Sequence, residues 1–192
     1  VSCALLLLSA PILLVVALFV RLQDGGPIFY SQLRSGLNGE LFRVWKLRTM
    51  RVDAERCGVQ WAGKGDLRIT PLGHILRLTR LDELPQLWAV LKGEMSLIGP
   101  RPERPEFEEN LERRIPRYRL RYLMRPGLSG WAQVNYPYGA SLEDSANKLS
   151  YDLYYLRNFS VWLDILILFK TIRLVFNAQG AIPVDSASHA VE

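Results

Sequence analysis

The chain has 192 residues, 49% of them apolar and 22% charged, with a net charge of +5 at neutral pH. Disorder needs low hydrophobicity and high net charge, so a disordered tail is excluded, and the length suits one domain able to bury most of its apolar surface. The charge is unevenly spread, because the first 20 residues carry none, which excludes an ordinary soluble domain. Cysteine occurs only at Cys3 and Cys57, with no CxxC pair and no Cys/His cluster at ligand spacing, so neither a disulfide framework nor a zinc site is expected.

Residues 1–20 read VSCALLLLSAPILLVVALFV, and as a helix they reach roughly 30 Å, the thickness of a hydrocarbon core. A run that starts almost at residue 1 without an initiator Met implies that a piece of chain precedes it. No basic stretch leads it and no small-residue cleavage site ends it, which argues against a secretory signal. Pro11 removes a backbone hydrogen bond in mid-run and clashes with the preceding turn, at a cost of about 3 kcal/mol, so a bend is expected. Two legs of about ten residues would each reach roughly 15 Å, one leaflet deep. A single span and a re-entrant hairpin therefore both fit.

Residues 27–48 hold two β-leaning runs around Asn38-Gly39, the pattern of a hairpin. On the second run Phe42, Val44, Lys46 and Arg48 share a face, which would let Lys46 and Arg48 point together at an anion; two solvated basic side chains fit the same pattern. Residues 58–65, GVQWAGKG, match a phosphate loop except at the last position, where Gly65 replaces the Ser or Thr that would hold Mg²⁺. With no strand before it and Pro71 soon after, a nucleotide-triphosphatase reading fails.

Thr70-Pro71 is an N-cap followed by Pro at the first helical position, opening a helix that carries Leu72, Ile75, Leu76 and Leu78 along with Arg77 and Arg80. Next comes LDELPQLWAVLKGEM, where Asp82 is a good N-cap, Pro85 fits the first turn and Gly93 ends the helix. Asp82 and Glu83 thus stand at a helix start, where capping and the dipole alone favour acids. In SLIGPRPER, Pro100 and Pro102 fix the backbone on both sides of Arg101, holding a guanidinium at low entropic cost for bidentate phosphate binding. The alternative is a surface turn before a helix opened by Pro105, with Glu109 and Arg113 as an i,i+4 pair.

Residues 113–125 hold six arginines in thirteen positions, interleaved with Tyr118 and Tyr122. Such a basic and aromatic stripe suits nucleic acid in general, but beside apolar elements an anionic or phosphorylated lipid is the cheaper partner. Pro126-Gly127 and Gly130 break the chain before WAQVN, a strand-like run ending at Asn135. Finally, YDLYYLRN leads into the apolar segment 161–176, with Lys170, Arg173 and Asn177 on one face. Such a helix can lie in the bilayer interface, or it can be a core helix with snorkelling cations.

Taken together, GGPIFYSQLRSGLNGELFRVWKLRTM, RLTRLDELPQLWAVLKGEMSLIGPRPERP, MRPGLSGWAQVN and YDLYYLRN resemble the bacterial sugar transferase family, the monotopic polyprenyl-phosphate phosphoglycosyl transferases, in their exopolysaccharide-type members and as the C-terminal catalytic part of a larger protein. The resemblance implies an α+β fold, mostly helical, with a small β-hairpin and interfacial amphipathic helices. It divides the chain into a re-entrant membrane helix bent at Pro11 (1–23), a cytosolic catalytic domain (24–180) that includes the interfacial helix 161–177, and a tail (181–192). It implies transfer of a sugar 1-phosphate, a hexose by preference, from a UDP-sugar to polyprenyl phosphate with release of UMP, at the cytoplasmic face of a bacterial inner membrane. Asp82 and Glu83 become the catalytic dyad and the ligands of Mg²⁺, and Lys46, Arg77, Arg101, Arg125 and Gln133 become substrate-binding residues. The implied partners are donor, acceptor and membrane lipid, without nucleic acid, and self-association stays open.

One departure concerns the bend: the family often has Ser directly before the membrane proline, whereas this chain has Ala10 there and Ser9 one place earlier. The reaction also sets an electrostatic requirement. An attacking carboxylate about 4 Å from one negative charge meets roughly 4 kcal/mol of repulsion at an effective dielectric of 20, and a diphosphate doubles that. Two or more fixed cations are needed beside Asp82.

Overall fold

A computed structural model describes residues 2–56, 58, 63, 65–137 and 141–177; the phosphate-loop-like GVQWAGKG falls largely outside these residues, and the tail 181–192 wholly so. The chain opens with α1 (Ser2–Asp24), which continues as one helix through Pro11, so the two legs expected at the proline do not appear as separate helices. Next to the proline, the Ser9 hydroxyl donates to the Leu6 carbonyl at 3.2 Å, the back-bond that Ala10 cannot make. Helix α1 is the one helix among the described residues long and apolar enough to cross a membrane by length and composition. Leu6, Ser9, Ala10, Leu13, Val16, Ala17 and Val20 form a covered or half-covered stripe at helical spacing, while Leu7, Leu8, Leu14 and Leu22 stay about 70% exposed.

Strands β1 (Phe29–Ser35) and β2 (Leu41–Leu47) pair antiparallel, with Gln32 opposite Val44 and Ser35 opposite Leu41. The Asn38-Gly39 turn is as expected: both residues have positive φ, 56° and 81°, and the Glu40 amide donates to the Leu37 carbonyl at 3.1 Å, which is type I′ geometry. Phe42 and Val44 face inward onto Ala89 and Met95. Lys46 and Arg48 do not act together, because the strand ends at Leu47 and the alternation ends with it. Arg48 turns instead to the end of α1, binding both oxygens of Asp24 and the Pro27 carbonyl, while Lys46 points at Glu83.

Helix α2 (Pro71–Leu78) starts as the sequence indicates, with the Thr70 hydroxyl accepting from the Gly73 amide at 2.9 Å. The next element differs from expectation. Asp82 caps no helix; it lies with Glu83 inside a 3₁₀ segment, Leu81–Gln86, and the short α3 (Leu87–Leu91) follows only after Pro85. Arg80 takes a left-handed conformation, φ 58°, a position usually given to glycine. That turn sends the two acids inward, where they are 6% and 7% exposed.

Strand β3 (Ser96–Ile98) pairs in parallel with β4 (Gly127–Ser129), and the backbones cross very closely. A Cβ on Gly127 would sit 2.1 Å from the Gly99 amide nitrogen, and one on Gly130 2.1 Å from the Gly99 carbonyl oxygen. WAQVN is therefore not the strand; its tight flank is, and Trp131–Asn135 forms the single-turn helix α5.

Helix α4 (Pro105–Arg114) carries the Glu109–Arg113 pair as expected. A 3₁₀ segment, Tyr118–Leu123, then buries both tyrosines in a cluster with Leu111, Ile115 and Leu149. The arginine-rich stretch is thus no aromatic stripe: its rings are inside, and Arg121, 6% exposed, ion-pairs with Asp152 at 2.9 Å. Helix α6 (Leu142–Asn158) opens with a Ser141/Asp144 capping box, and α7 (Val161–Phe176) with Ser160. Three polar side chains of α7 face the body: Asp164 receives the Tyr155 hydroxyl, Lys170 donates to Asn135 Oδ1, and Thr171 meets Ser129. Ile167 is fully buried beside them and Arg173 is exposed, while Val161, Trp162, Phe169 and Phe176 face out, each more than 60% exposed. A core helix would show the reverse.

The glycine crossing gives a test. Gly127→Ala forces two backbones apart, so the loss of stability in detergent should exceed the ~1–3 kcal/mol usual for overpacking; a melting temperature equal to the parent's would refute the crossing.

Candidate active site

A cavity of about 730 Å³ opens between the inner end of the hairpin, the N-terminus of α2, the Leu81–Gln86 segment, and the facing sides of α5 and α6. Lys46, Arg77, Arg80, Asp82, Glu83, Arg101 and Gln133 all line it. Of the residues expected at the site, only Arg125 falls outside this lining, on an exposed position before β4. Pro11 lies in α1, away from the lining.

Glu83 is the electrostatic centre. Its carboxylate receives Lys46 Nζ at 2.8 Å and Arg101 Nη2 at 2.5 Å, with Arg80 Nη1 at 3.5 Å. Burial opposes its ionisation, but Arg101, Lys46 and Arg80 outweigh that and hold it well below the ordinary glutamate range. Burial likewise lowers the Lys46 ammonium, partly offset by Glu83.

Asp82 has the opposite environment. Its Oδ1 is buried without a hydrogen-bond partner, and burial, then the negative charge of Glu83, push its carboxyl up to about 6. Two adjacent acids thus differ: one is a neutralised structural anion, the other a poorly solvated carboxylate still ionised at neutral pH. A carboxylate short of hydrogen bonds is a better nucleophile or ligand than a solvated one.

The cations come from separate elements. Lys46 stands on the inner face of β2, where period-two alternation places it. Arg77, in the last turn of α2, is fixed by its Nε donating to Thr49 Oγ1 at 2.9 Å. Arg101 sits between its two prolines, and Arg121 Nη2 donates to its carbonyl at 2.8 Å.

Several contributors escaped the sequence reading: Arg80, placed by its left-handed backbone; Thr49, which orients Arg77; and Arg34, Glu103, Arg104, Lys148 and Asp152, which line other parts of the cavity. Thr49 carries no charge at all, the others carry charge as their sole sequence signal, and the fold alone brings them together.

Magnesium fits this donor set in a limited way. Among the described residues no group of three or more His, Cys, Asp or Glu side chains could hold a metal, and Glu83 is engaged by three cations. The unpartnered Asp82 Oδ1 can supply one ligand, which suits an ion held by one carboxylate, water and substrate oxygens.

Removing one member of a buried charge cluster leaves the others uncompensated, at about 3–5 kcal/mol. Glu83→Gln should therefore lower the melting temperature in detergent by on the order of 10 °C for a chain of this size, more than Lys46→Met, which leaves Glu83 two cations. Equal melting temperatures for Glu83→Gln and parent would contradict this.

The sequence profile described as bacterial sugar transferase matches residues 1–178. A UDP-N-acetylgalactosamine-undecaprenyl-phosphate N-acetylgalactosaminephosphotransferase of Aeromonas hydrophila is 47% identical over 91% of this chain and 41% of its own length. A UDP-glucose:undecaprenyl-phosphate glucose-1-phosphate transferase of Klebsiella pneumoniae is 42% identical over 90% of the chain and 37% of its own length. An exopolysaccharide production protein of Rhizobium leguminosarum bv. phaseoli is 41% identical over 89% of the chain and 88% of its own length. The chain thus spans about two fifths of the first two relatives. A match along nearly all the described residues, over a buried acid pair ringed by cations, makes this chain a member of the bacterial sugar transferase family.

Proposed function

We propose that this chain transfers a sugar 1-phosphate from a UDP-sugar, by preference a UDP-hexose, to a polyprenyl phosphate such as undecaprenyl phosphate, at the start of exopolysaccharide or related glycan synthesis. The observation that carries the reading is the pairing of an under-solvated Asp82 with a Glu83 already neutralised by Lys46, Arg80 and Arg101.

In the proposed first half-reaction an Asp82 carboxylate oxygen attacks the β-phosphorus, the bond from that phosphorus to the bridging oxygen breaks, and UMP leaves with that oxygen. The sugar phosphate then rests on Asp82 as a mixed anhydride. In the second half, a phosphate oxygen of the acceptor attacks the same phosphorus, the bond to Asp82 breaks, and a polyprenyl diphosphate sugar departs with the carboxylate restored. Arg77 and Arg101 hold the diphosphate and offset the roughly 8 kcal/mol of repulsion that two negative charges would impose. Glu83 keeps Lys46, Arg80 and Arg101 beside the reacting phosphorus. Mg²⁺, held by Asp82 and substrate oxygens, would supply further charge neutralisation.

The acceptor's tail stays in lipid while its phosphate lies at head-group level, so the reading includes a monotopic body on the cytoplasmic leaflet with α1 re-entrant. The outward apolar face of α7 supports it, since such a face suits an interface-lying helix.

Incubation with UDP-glucose and Mg²⁺, without acceptor, should release UMP in proportion to enzyme and add the mass of one hexose phosphate to the chain. Asp82→Asn should abolish both, with turnover lower by on the order of 10³-fold or more, and chelation should suppress UMP release. UMP that forms only when acceptor is present, with no mass adduct, would indicate direct displacement and overturn the covalent route.

For topology, an impermeant thiol reagent should reach Cys3 and an introduced Arg43→Cys from the same side of the membrane. Labelling from opposite sides would make α1 a span.

A further inference from the structure

The lining of the cavity extends past the acid pair onto the region here termed its α5–α6 lobe. Arg101 marks the border: its guanidinium holds Glu83, and its carbonyl on the other side receives Arg121. Beyond it the wall is made by Glu103, Gln133, Tyr136, Ser145, Lys148 and Asp152, gathered from the segment after β3 and from the facing sides of α5 and α6.

Most of these groups accept: Glu103, Asp152 and the Gln133 carbonyl do so by nature, and the Tyr136 and Ser145 hydroxyls do so because their protons go to Asp144 Oδ1 and the Ser141 carbonyl, while the Lys148 ammonium donates. Gln133 has a fixed orientation: Nε2 donates to the Leu128 carbonyl at 3.1 Å, which leaves Oε1 as the other end of the amide, buried without a partner. A buried acceptor left unmade costs about 1–3 kcal/mol, and a donor from a ligand in this lobe would remove that cost. The part of the wall before α2 brings in Tyr30, Met50, Leu67, Ile69 and Pro71, set among charged Arg51, Glu55 and Asp66.

We propose that the lobe bounded by α5 and α6 is the subsite for the hexose of the donor, and that the part of the wall before α2 takes the nucleoside. The inference rests on the reading of this cavity as a UDP-sugar site. A hexose offers several hydroxyls, each able to donate to an acceptor of this wall, and one of them can receive Lys148. Uracil offers one N–H and a flat face, and matches the mixed wall before α2. Gln133 and Lys148 are then specificity-determining residues, because they meet the part of the donor that varies from one UDP-sugar to another.

The test compares UDP with UDP-glucose by calorimetric titration of the detergent-solubilised chain, in an Asp82→Asn background so that turnover does not consume the donor. Lys148→Met and Gln133→Leu should each weaken UDP-glucose by about 10-fold or more, the value of a lost buried hydrogen bond, and leave UDP within about twofold. Ser145→Ala, at the rim on the first turn of α6, should weaken UDP-glucose alone by a smaller factor, and it supplies the comparison if either other variant melts below the titration temperature. Equal losses for UDP and UDP-glucose would assign the lobe to the nucleoside or diphosphate and overturn the proposal, as would unchanged binding of both. Failure of the background protein and of the parent to bind either nucleotide would instead remove the donor reading of the whole cavity.

Discussion

A buried carboxylate is expensive, and the arrangement around Glu83 shows how this fold turns that expense into order. Lys46 from β2, Arg80 from the left-handed turn after α2, and Arg101 from between two prolines converge on one group. Each element is thereby tied to the same point. Hairpin, helix pair and proline-flanked segment can therefore keep register with one another although their sheets have only two strands each. The same convergence leaves Asp82, one residue away, with an unpartnered oxygen and a raised proton affinity. Stability and reactivity come from one cluster, divided between adjacent residues.

The outer shell follows a second constraint, the solvent on each side. Helix α7 turns three polar side chains, Asp164, Lys170 and Thr171, to the body and presents rings and branched chains outward. In water this distribution would be unfavourable by the usual ~25 cal/mol per Å² of apolar surface, and against lipid it is not. Helix α1 is mostly exposed and apolar as well, so the two terminal helices share this outward distribution.

Local signals in the sequence were read correctly where the cause is local. Asn38-Gly39 has the only residue pair that takes two positive φ angles cheaply in that hairpin, and Thr70-Pro71 carries its own cap and fixed φ. The α7 boundaries were equally legible, because sixteen apolar-periodic residues between Ser160 and Asn177 leave little choice. Asp82 has the sequence signature of a cap and caps nothing, because the left-handed Arg80 has no sequence mark: arginine there is held by tertiary contacts, its ion pair with Glu83 among them. Tyr118 and Tyr122 looked like a surface stripe because spacing alone does not reveal that a 3₁₀ segment turns them onto Leu111 and Leu149. WAQVN has strand-forming residues, yet the bare glycines before it make the closer pairing, so the ladder forms there instead. Asp152 and Lys148 of α6 carry no signal of their own in the sequence for a related reason, since they join the cavity wall only through the packing of α5 and the Arg121 segment beside them.

The outward rings of α7 have a practical corollary for anyone handling the protein. Cutting away the first helix would remove the longest greasy element, yet the fragment would still present Trp162, Phe169 and Phe176 to buffer, and it would leave the Arg48 guanidinium without Asp24. Truncation is thus a route to aggregation. A water-soluble version would need the exterior of the last helix recoded to hydrophilic residues while Asp164, Lys170 and Thr171 are kept, since those three fasten it to the rest.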